Sequence, residues 1–145
     1  MATVTPYLCV ADAAAALEFY AAAFGAVETS RWTDPATGSI GHAEFTVEGA
    51  LVMIADEWPE GGVYAPTPGR SSVSLVLTVA DVDGLFERAV AAGATVDRPV
   101  TDSPHGRGGW LFDPFGHRWH LSAPGSADVS KAELQAAVGD DYVIS

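Results

Sequence analysis

Imidazole and thiol groups, which could hold a metal ion or attack a substrate, are scarce in this chain: it has four histidines and one cysteine, Cys9. His42 and Glu44 stand two apart, so they face the same side of a predicted strand. A site combining them with His120 could bind a divalent metal. Alternatively, His120 is a polar cleft residue that hydrogen-bonds a ligand or water. The single cysteine excludes an internal disulfide and a zinc site built from several cysteines.

Aromatic side chains favour a binding surface. The chain has four tryptophans. Trp32 and Trp110 stand on predicted strands, where they either pack in the core or line a cleft, and Trp58 stands in a long predicted loop that could close over the cleft. Trp119 alternates with His120 and is predicted to lie in the core. Tryptophan walls stack planar ligands and attract cations.

The net charge is strongly negative. Asp and Glu total 19 against 7 for Lys and Arg, which gives a formal charge of -12. Such a surface repels phosphate backbones and disfavours nucleic-acid binding, whereas it suits a cationic ligand; solubility alone would also account for it. No apolar run approaches the roughly 20 residues of a membrane-spanning helix, and no signal-peptide pattern is present. We therefore expect a cytoplasmic protein with no nucleic-acid or membrane partner.

An internal repeat organises the chain. Val10-Ala11-Asp12 returns as Val79-Ala80-Asp81, an offset of 79 − 10 = 69. Each aspartate can cap a helix, and a glycine ends each helical pattern. Helices are predicted over about 13–24 and 82–92, each preceded by one strand and followed by about three. Gly49 and Gly116 mark equivalent hairpin turns.

Alternation within the strands separates an apolar face from an open one. In residues 72–79, every second residue from Val73 is large and apolar, and the intervening residues are smaller and mostly polar. In residues 42–47 the same split puts His42 and Glu44 on the polar face. The apolar faces should pack on the helices, and the others should face solvent or line a curved ligand cleft.

Several short motifs stand at the ends of the predicted helices and in the last turn. The most specific is Asp113-Pro114-Phe115-Gly116-His117-Arg118-Trp119, and the others are Pro6-Tyr7-Leu8, Phe19-Tyr20, Phe24-Gly25, Val79-Ala80-Asp81-Val82-Asp83 and Ala91-Ala92-Gly93-Ala94. Through these motifs, residues 3–123 resemble the glyoxalase/bleomycin-resistance/extradiol-dioxygenase superfamily, also called vicinal oxygen chelate proteins. The tail from residue 128 also resembles an extension found in one bacterial branch.

The resemblance implies paired βαβββ modules whose strands form a U-shaped mixed sheet around a cleft, with helices on the outer face. In many members it also implies a dimer. Enzymes of the superfamily hold a divalent metal with four His, Glu or Gln residues, one from the first and one from the last strand of each module. The equivalent positions here are Thr5, Met53, Ser74 and His120, where 74 − 5 = 69 agrees with the repeat. Of these only His120 suits such a metal, so metal chemistry is not supported.

The predicted fold class is α+β, in one domain over residues 1–127. Module one covers about 3–56, a loop covers 57–71, and module two covers about 72–123. A tail over 128–145 should contain a short helix at 131–138, since Ser130 and Glu133 form a capping box. We expect that helix to pack on the domain or on a partner through Leu134 and Val138.

Three functions fit these observations. The leading hypothesis is a non-enzymatic protein without cofactor or metal that sequesters a planar or cationic antibiotic, as in the metal-free antibiotic-binding branch. The alternatives are a metal-dependent lyase, isomerase or dioxygenase with an unusual ligand set, and a ligand-sensing or accessory subunit. A homodimer is expected. No catalytic residue is assigned, and the candidate ligand-binding residues are Thr5, Tyr7, Trp32, His42, Glu44, Met53, Trp58, Ser74, Trp110 and His120.

Overall fold

Two copies of a strand–helix–three-strand module account for residues 7–122, as the repeat predicts. The computed structural model describes residues 1–104, 106–125 and 129–145. The first module contains β1 (Tyr7–Val10), α1 (Ala13–Phe24), β2 (Val27–Thr33), β3 (Ile40–Val47) and β4 (Ala50–Asp56). The second contains β5 (Ser74–Thr78), α2 (Val82–Ala92), β6 (Thr95–Ser103), β7 (Gly106–Phe112) and β8 (Arg118–Ser122).

Each module forms its own four-stranded mixed sheet, in the order β1-β4-β3-β2 and β5-β8-β7-β6. The first strand runs parallel to the last, and the other pairs are antiparallel. Tyr7 lies opposite Met53 and Val76 lies opposite His120, so the register itself repeats with offsets of 76 − 7 = 69 and 120 − 53 = 67. The predicted α+β fold of two βαβββ modules is confirmed, and within the described residues the two sheets share no paired strands.

Both helices begin and end as predicted. The Asp12 carboxylate accepts a hydrogen bond from Ala15 N at 2.9 Å, and the Asp81 carboxylate accepts one from Gly84 N at 3.0 Å. Both satisfy amides that have no partner inside the helix. Gly25 ends α1 in the left-handed region, with φ 67°, and its N–H returns to Ala21 O. Glycine adopts this conformation at little cost, so the chain can turn directly into β2.

One face of each sheet packs against the helices and forms the core. In the first module the buried strand residues alternate with open ones, and Phe45 stacks on Tyr20 of α1 at a ring distance of 5.0 Å. In the second module Trp119 is 3% exposed and lies 5.0 Å from Phe24 of α1. The predicted core position of Trp119 is confirmed, and α1 packs against side chains from both sheets.

Asp113, with only 4% exposure, connects the β7–β8 turn to the first module. Its Oδ1 accepts hydrogen bonds from Phe115 N at 2.9 Å and His117 N at 3.0 Å. Its Oδ2 accepts from the Tyr20 hydroxyl and from Trp119 Nε1 at 2.9 Å. Burial and the Asp113 charge raise the pKa of Tyr20 well above its ordinary value. A buried carboxylate is tolerated only when hydrogen bonds replace its water, and these four do so.

Two further side chains join the modules. His117 Nε2 donates to the Cys9 carbonyl of β1 at 2.9 Å. Arg88 of α2 donates from Nε to Ala22 O at 2.6 Å and from Nη2 to Ala21 O at 3.2 Å. These carbonyls lie in the last turn of α1, where the helix dipole favours a cation. The contact between the modules therefore combines apolar packing with a few specific side-chain hydrogen bonds.

The tail helix α3 (Lys131–Val138) carries the predicted capping box. Glu133 N donates to Ser130 Oγ at 3.2 Å, and Ser130 N donates to Glu133 Oε2 at 2.8 Å. In the described tail no residue of α3 is buried, and Leu134 and Val138 are half-buried. The expected boundary at 127/128 lies outside the described residues. No helix in the described part of the chain is long and apolar enough to cross a membrane.

Replacing Asp113 should destabilise the whole molecule. Asp113→Ala leaves two buried side-chain donors and two turn amides without an acceptor, so we expect the free energy of unfolding to fall by about 3 kcal/mol or more. Tyr20→Phe removes one donor only and should cost about 1 to 2 kcal/mol. Urea denaturation measures both, with the exposed Tyr142→Phe as a control; equal stability of Asp113→Ala and the unmodified protein would contradict this role.

Candidate functional site

The face of the first sheet that points away from the helices carries several of the predicted site residues. Along β3 the buried residues alternate with half-buried ones, so His42 and Glu44 share this face. Neighbouring strands add other side chains. This surface, called here the first open face, is formed by Tyr7, Cys9, Trp32, His42, Glu44 and Met53.

His42 is the centre of a hydrogen-bonded cluster on the first open face. Its Nδ1 lies 2.7 Å from the Tyr7 hydroxyl, and its Nε2 lies 3.2 Å from Glu44 Oε1. The Trp32 ring lies edge-on to the imidazole at a centroid distance of 5.3 Å. Trp32 is 70% exposed and pairs with His42 across β2 and β3, so it belongs to the open face and not to the core.

Carboxylates surround one end of the first open face. A cavity of about 580 Å³ there is lined by Asp34, Asp56, Glu57 and Trp58, among others. Each carboxylate also shapes the backbone: Asp56, for example, accepts from Ala13 N at 2.6 Å and from Ile40 N at 2.7 Å. Among the residues that line this cavity in the described chain there is no Lys or Arg. The cavity is therefore electronegative, with an indole at its wall.

The thiol of Cys9 lies in this electronegative environment. Burial, together with the charges of Glu57 and Asp56, raises its pKa above the ordinary value. Because the thiolate is the nucleophilic form, this environment makes Cys9 less reactive at neutral pH than an ordinary thiol.

The second sheet has a corresponding surface, called here the second open face, formed by Ser74, Val76, Trp110, Arg118 and His120. Trp110 and His120 stack with ring centroids 4.3 Å apart and planes inclined by 13°. The Arg118 guanidinium lies 3.8 Å from the Trp110 ring centre and is held by Asp97 at 2.7 Å and Ser74 Oγ at 3.1 Å. These contacts fix a planar aromatic platform, strengthened by a cation–π interaction.

Gly108 makes room for the His120 ring. A Cβ at this position would lie 2.7 Å from His120 Nε2 and 2.8 Å from Leu121 O. The paired positions place His42 at the equivalent point of β3, because Trp110 lies opposite His120 as Glu44 lies opposite Met53 (110 − 44 = 66 and 108 − 66 = 42). The first module therefore has its imidazole on β3, whereas the second has a glycine there and its imidazole on β8.

The structure divides the four positions aligned with the superfamily's metal ligands between two sheets. Met53 lies in β4, and Ser74 and His120 lie in β5 and β8, whereas Thr5 precedes β1. Their hydroxyl, thioether and single imidazole groups do not fit a site for a borderline divalent metal. His42 and Glu44 meet each other, but no three His, Cys, Asp or Glu residues of the described chain cluster as a metal site.

The structure also places Trp110 and Trp58, whose positions the sequence did not fix. Trp110 lies on the second open face and not in the core, as its stacking on His120 establishes. Trp58 lies in the inter-module loop, paired with Val63 next to a 3-10 turn at Pro59–Gly61. Sequence reasoning missed Arg118 and Asp97. Arg118 stands two residues before His120, so strand parity was a signal that could have placed it on the same face.

The imidazole of His120 should titrate below its ordinary range, because burial and the nearby Arg118 charge lower its pKa. The unfolded chain then binds this proton at a higher pH than the folded chain, so His120 reduces stability as pH falls below about 6.5. NMR titration of the ring should give a midpoint below that value. Arg118→Gln should raise the midpoint; a value unchanged by this substitution would contradict the assigned cause.

Comparison with known proteins agrees with the fold and the motifs. An uncharacterized protein of Mycobacterium bovis is 43% identical over 139 residues, covering 92% of this chain and 90% of its own length. The crystal structure of TioX from Micromonospora has a TM-score of 0.66 and 29% identity, covering 87% of this chain and 98% of that one.

A fosfomycin resistance protein, FosX from Mesorhizobium loti, has a TM-score of 0.65 over 87% of this chain and 93% of its own, and at 19% identity this likeness establishes the fold alone. The model of the Glyoxalase/Bleomycin resistance protein/Dioxygenase superfamily matches residues 2–121. With the repeated register, the Asp113 turn and this match over most of its length, the chain belongs to that superfamily.

Proposed function

We propose that this protein binds and sequesters a planar, cationic small molecule such as an antibiotic, without breaking a bond in it. The observation that carries the proposal is the chemistry of the two open faces. Each presents a tryptophan beside a histidine, and three of the superfamily's four metal positions hold side chains that bind divalent metals poorly. The superfamily name includes bleomycin resistance, and resistance by binding needs only a lower concentration of free drug.

The aromatic platforms support a planar ligand. Trp110 and His120 are already stacked, and Arg118 and Asp97 hold the platform, so little side-chain freedom is lost when a ring packs on it. On the first open face the exposed Trp32 ring offers a second contact of the same kind.

The carboxylates support a cationic ligand. Asp34, Asp56 and Glu57 line one cavity with Trp58, and the whole chain carries a charge of -12. Carboxylates and an indole face together stabilise an organic cation, by Coulomb attraction and by the ring quadrupole. The negative surface also raises the rate at which cations arrive.

A homodimer would complete the clefts. In the single chain Tyr7, Trp32 and Val76 are 55%, 70% and 63% exposed, so the open faces are uncovered. β1 and β5 are edge strands, each with one unpaired side in the described chain. A second copy that placed one open face opposite the other would enclose these side chains in a shared cleft that is still open to small molecules, and would cover an edge.

The alternative, a metal-dependent enzyme, depends on the His42–Glu44 pair. These two groups lie on the first open face and His120 lies on the second, so they would share a metal only if the two faces met.

Metal content distinguishes the proposed binding protein from a metal-dependent enzyme. We expect the purified protein to hold no stoichiometric metal after dialysis, whereas Thr5→His with Met53→Glu and Ser74→His should create a zinc site with His120. Elemental analysis measures both; one tightly held metal per unmodified chain would support the His42–Glu44 alternative instead.

A mixture of two variants shows which chains share a cleft. One chain carries Thr5→His, Met53→Glu and His120→Ala, and the other carries Ser74→His, so each chain alone has only two zinc ligands at these positions. If clefts form between chains, only the mixed dimer binds zinc; if they form within a chain, the mixture stays empty although the triple variant binds.

Ligand binding should depend on the aromatic platform. A thermal-shift screen against aromatic cationic antibiotics should find a compound that raises Tm, because a ligand of the native state alone stabilises it. Trp110→Ala should weaken binding of that compound by about 1 to 3 kcal/mol, and Tyr142→Ala on the tail should leave it unchanged. Expression in a drug-sensitive host should raise tolerance to the same compound, and the absence of any such ligand would overturn the proposal.

A further inference from the structure

The hydrogen bonds of the Tyr7–His42–Glu44 cluster have a defined order of donors and acceptors. The binding proposal does not use this order. An ionised glutamate can only accept hydrogen bonds, so the Nε2 that lies 3.2 Å from Glu44 carries the imidazole proton. Nδ1 then has a free lone pair, and the Tyr7 hydroxyl at 2.7 Å donates to it. A carboxylate, an imidazole and a hydroxyl are therefore joined in series, with the hydroxyl at the solvent-facing end.

This order is that of a nucleophile, its general base and the group that orients the base. We propose that Tyr7 is an activated nucleophile, which accepts an acyl or sulfonyl group from an electrophilic small molecule bound at the first open face. The tyrosine oxygen forms the new bond, and the leaving group departs with its electron pair. The hydroxyl proton passes to His42 Nδ1 and then to water, while Glu44 stabilises the transient imidazolium.

The protonation of Tyr7 makes the base necessary. A phenol is protonated at neutral pH, and partial burial raises the pKa of Tyr7 further, so the proton must leave as the oxygen attacks. Burial and the charges of Glu57 and Asp56 raise the pKa of the Cys9 thiol on the same face, which lowers its thiolate fraction. Tyr7 is thus the nucleophile of this face that has a base in contact with it.

The surroundings of Tyr7 admit a small molecule. Its side chain is 55% exposed, and its ring lies edge-on to His42 at 5.3 Å. Trp32 stands on the other side of the imidazole at the same distance. Because the Tyr7 side chain is more than half exposed, an aromatic electrophile can approach its oxygen from the solvent side.

An aryl sulfonyl fluoride tests the proposal without any natural ligand. Tyrosine attack forms an O–S bond, fluoride leaves, and the product is detected by mass spectrometry after digestion. Tyr64 and Tyr142 are internal controls, since they are 66% and 69% exposed and no imidazole contacts them among the described residues. Tyr7 should react at least about tenfold faster than either, as expected for general-base assistance; without a base, its burial and raised pKa would make it slower.

Substitutions separate base assistance from simple exposure. His42→Asn keeps an acceptor near Tyr7 but not a base, and should reduce labelling of Tyr7 to the rate of the control tyrosines. Glu44 acts as a positioning residue, so Glu44→Gln should slow labelling and Glu44→Asp should partly restore it. Free imidazole should restore the rate in His42→Gly, which a purely structural role of His42 would not permit.

Two outcomes would overturn the inference: a Tyr7 rate no higher than that of Tyr64 and Tyr142, or a fast Tyr7 rate unchanged by His42→Asn. The comparison among tyrosines within the unmodified protein stands even if a variant folds poorly. The sulfonyl fluoride probe is not the sequestered ligand. Slow labelling of Tyr7 would therefore not contradict the binding proposal, and failure of the thermal-shift screen would not contradict fast labelling of Tyr7.

Discussion

The carboxylate of Asp113 is the interaction on which the rest of the structure depends. It closes the β7–β8 turn through two backbone amides and holds Tyr20 of the opposite module through its second oxygen. The turn sets the register of β8, and β8 carries Trp119 into the core and His120 onto the second open face. One buried carboxylate thus affects both how the modules pack and where the His120 imidazole of the second open face stands.

Local signals made much of the fold predictable. The repeat at 69 residues, the capping aspartates and the stop glycines predicted α1 and α2 at their observed bounds, and alternation placed Trp119 inside. Strand pairing was harder to predict from the sequence, because the pairing of β1 with β4 joins residues more than 40 positions apart. Whether the strands formed one sheet or two depended on contacts between the modules, such as those of Tyr20 and Arg88, that have no sequence period.

The strand faces of the candidate residues were partly predictable from the sequence, but the contacts between their side chains were not. Strand parity correctly grouped His42 with Glu44, yet it could not show that Tyr7 reaches His42 from another strand. Nor could it choose between core and cleft for Trp32 and Trp110, since β2 and β7 have bulges or glycines that weaken the alternation. Arg118 of β8 and Asp97 of β6 meet only because both strands pair with β7 in the folded sheet. The sequence pattern along one strand does not show which strands become neighbours.

The seam between the modules has an evolutionary consequence. A groove of about 900 Å³ lies there, lined by residues of β1, β5 and the connecting loop. Two groove residues, His117 and Cys9, are joined by a side-chain hydrogen bond to Cys9 O, and Arg88 joins the two helices in the same way; within the described residues no backbone ladder connects the two sheets. Packed elements joined in this way can slide by small rigid-body shifts. Substituting one or two of these side chains would therefore widen or narrow the groove while each sheet stays intact, so a duplicated fold of this kind can diversify in ligand size without redesigning its core.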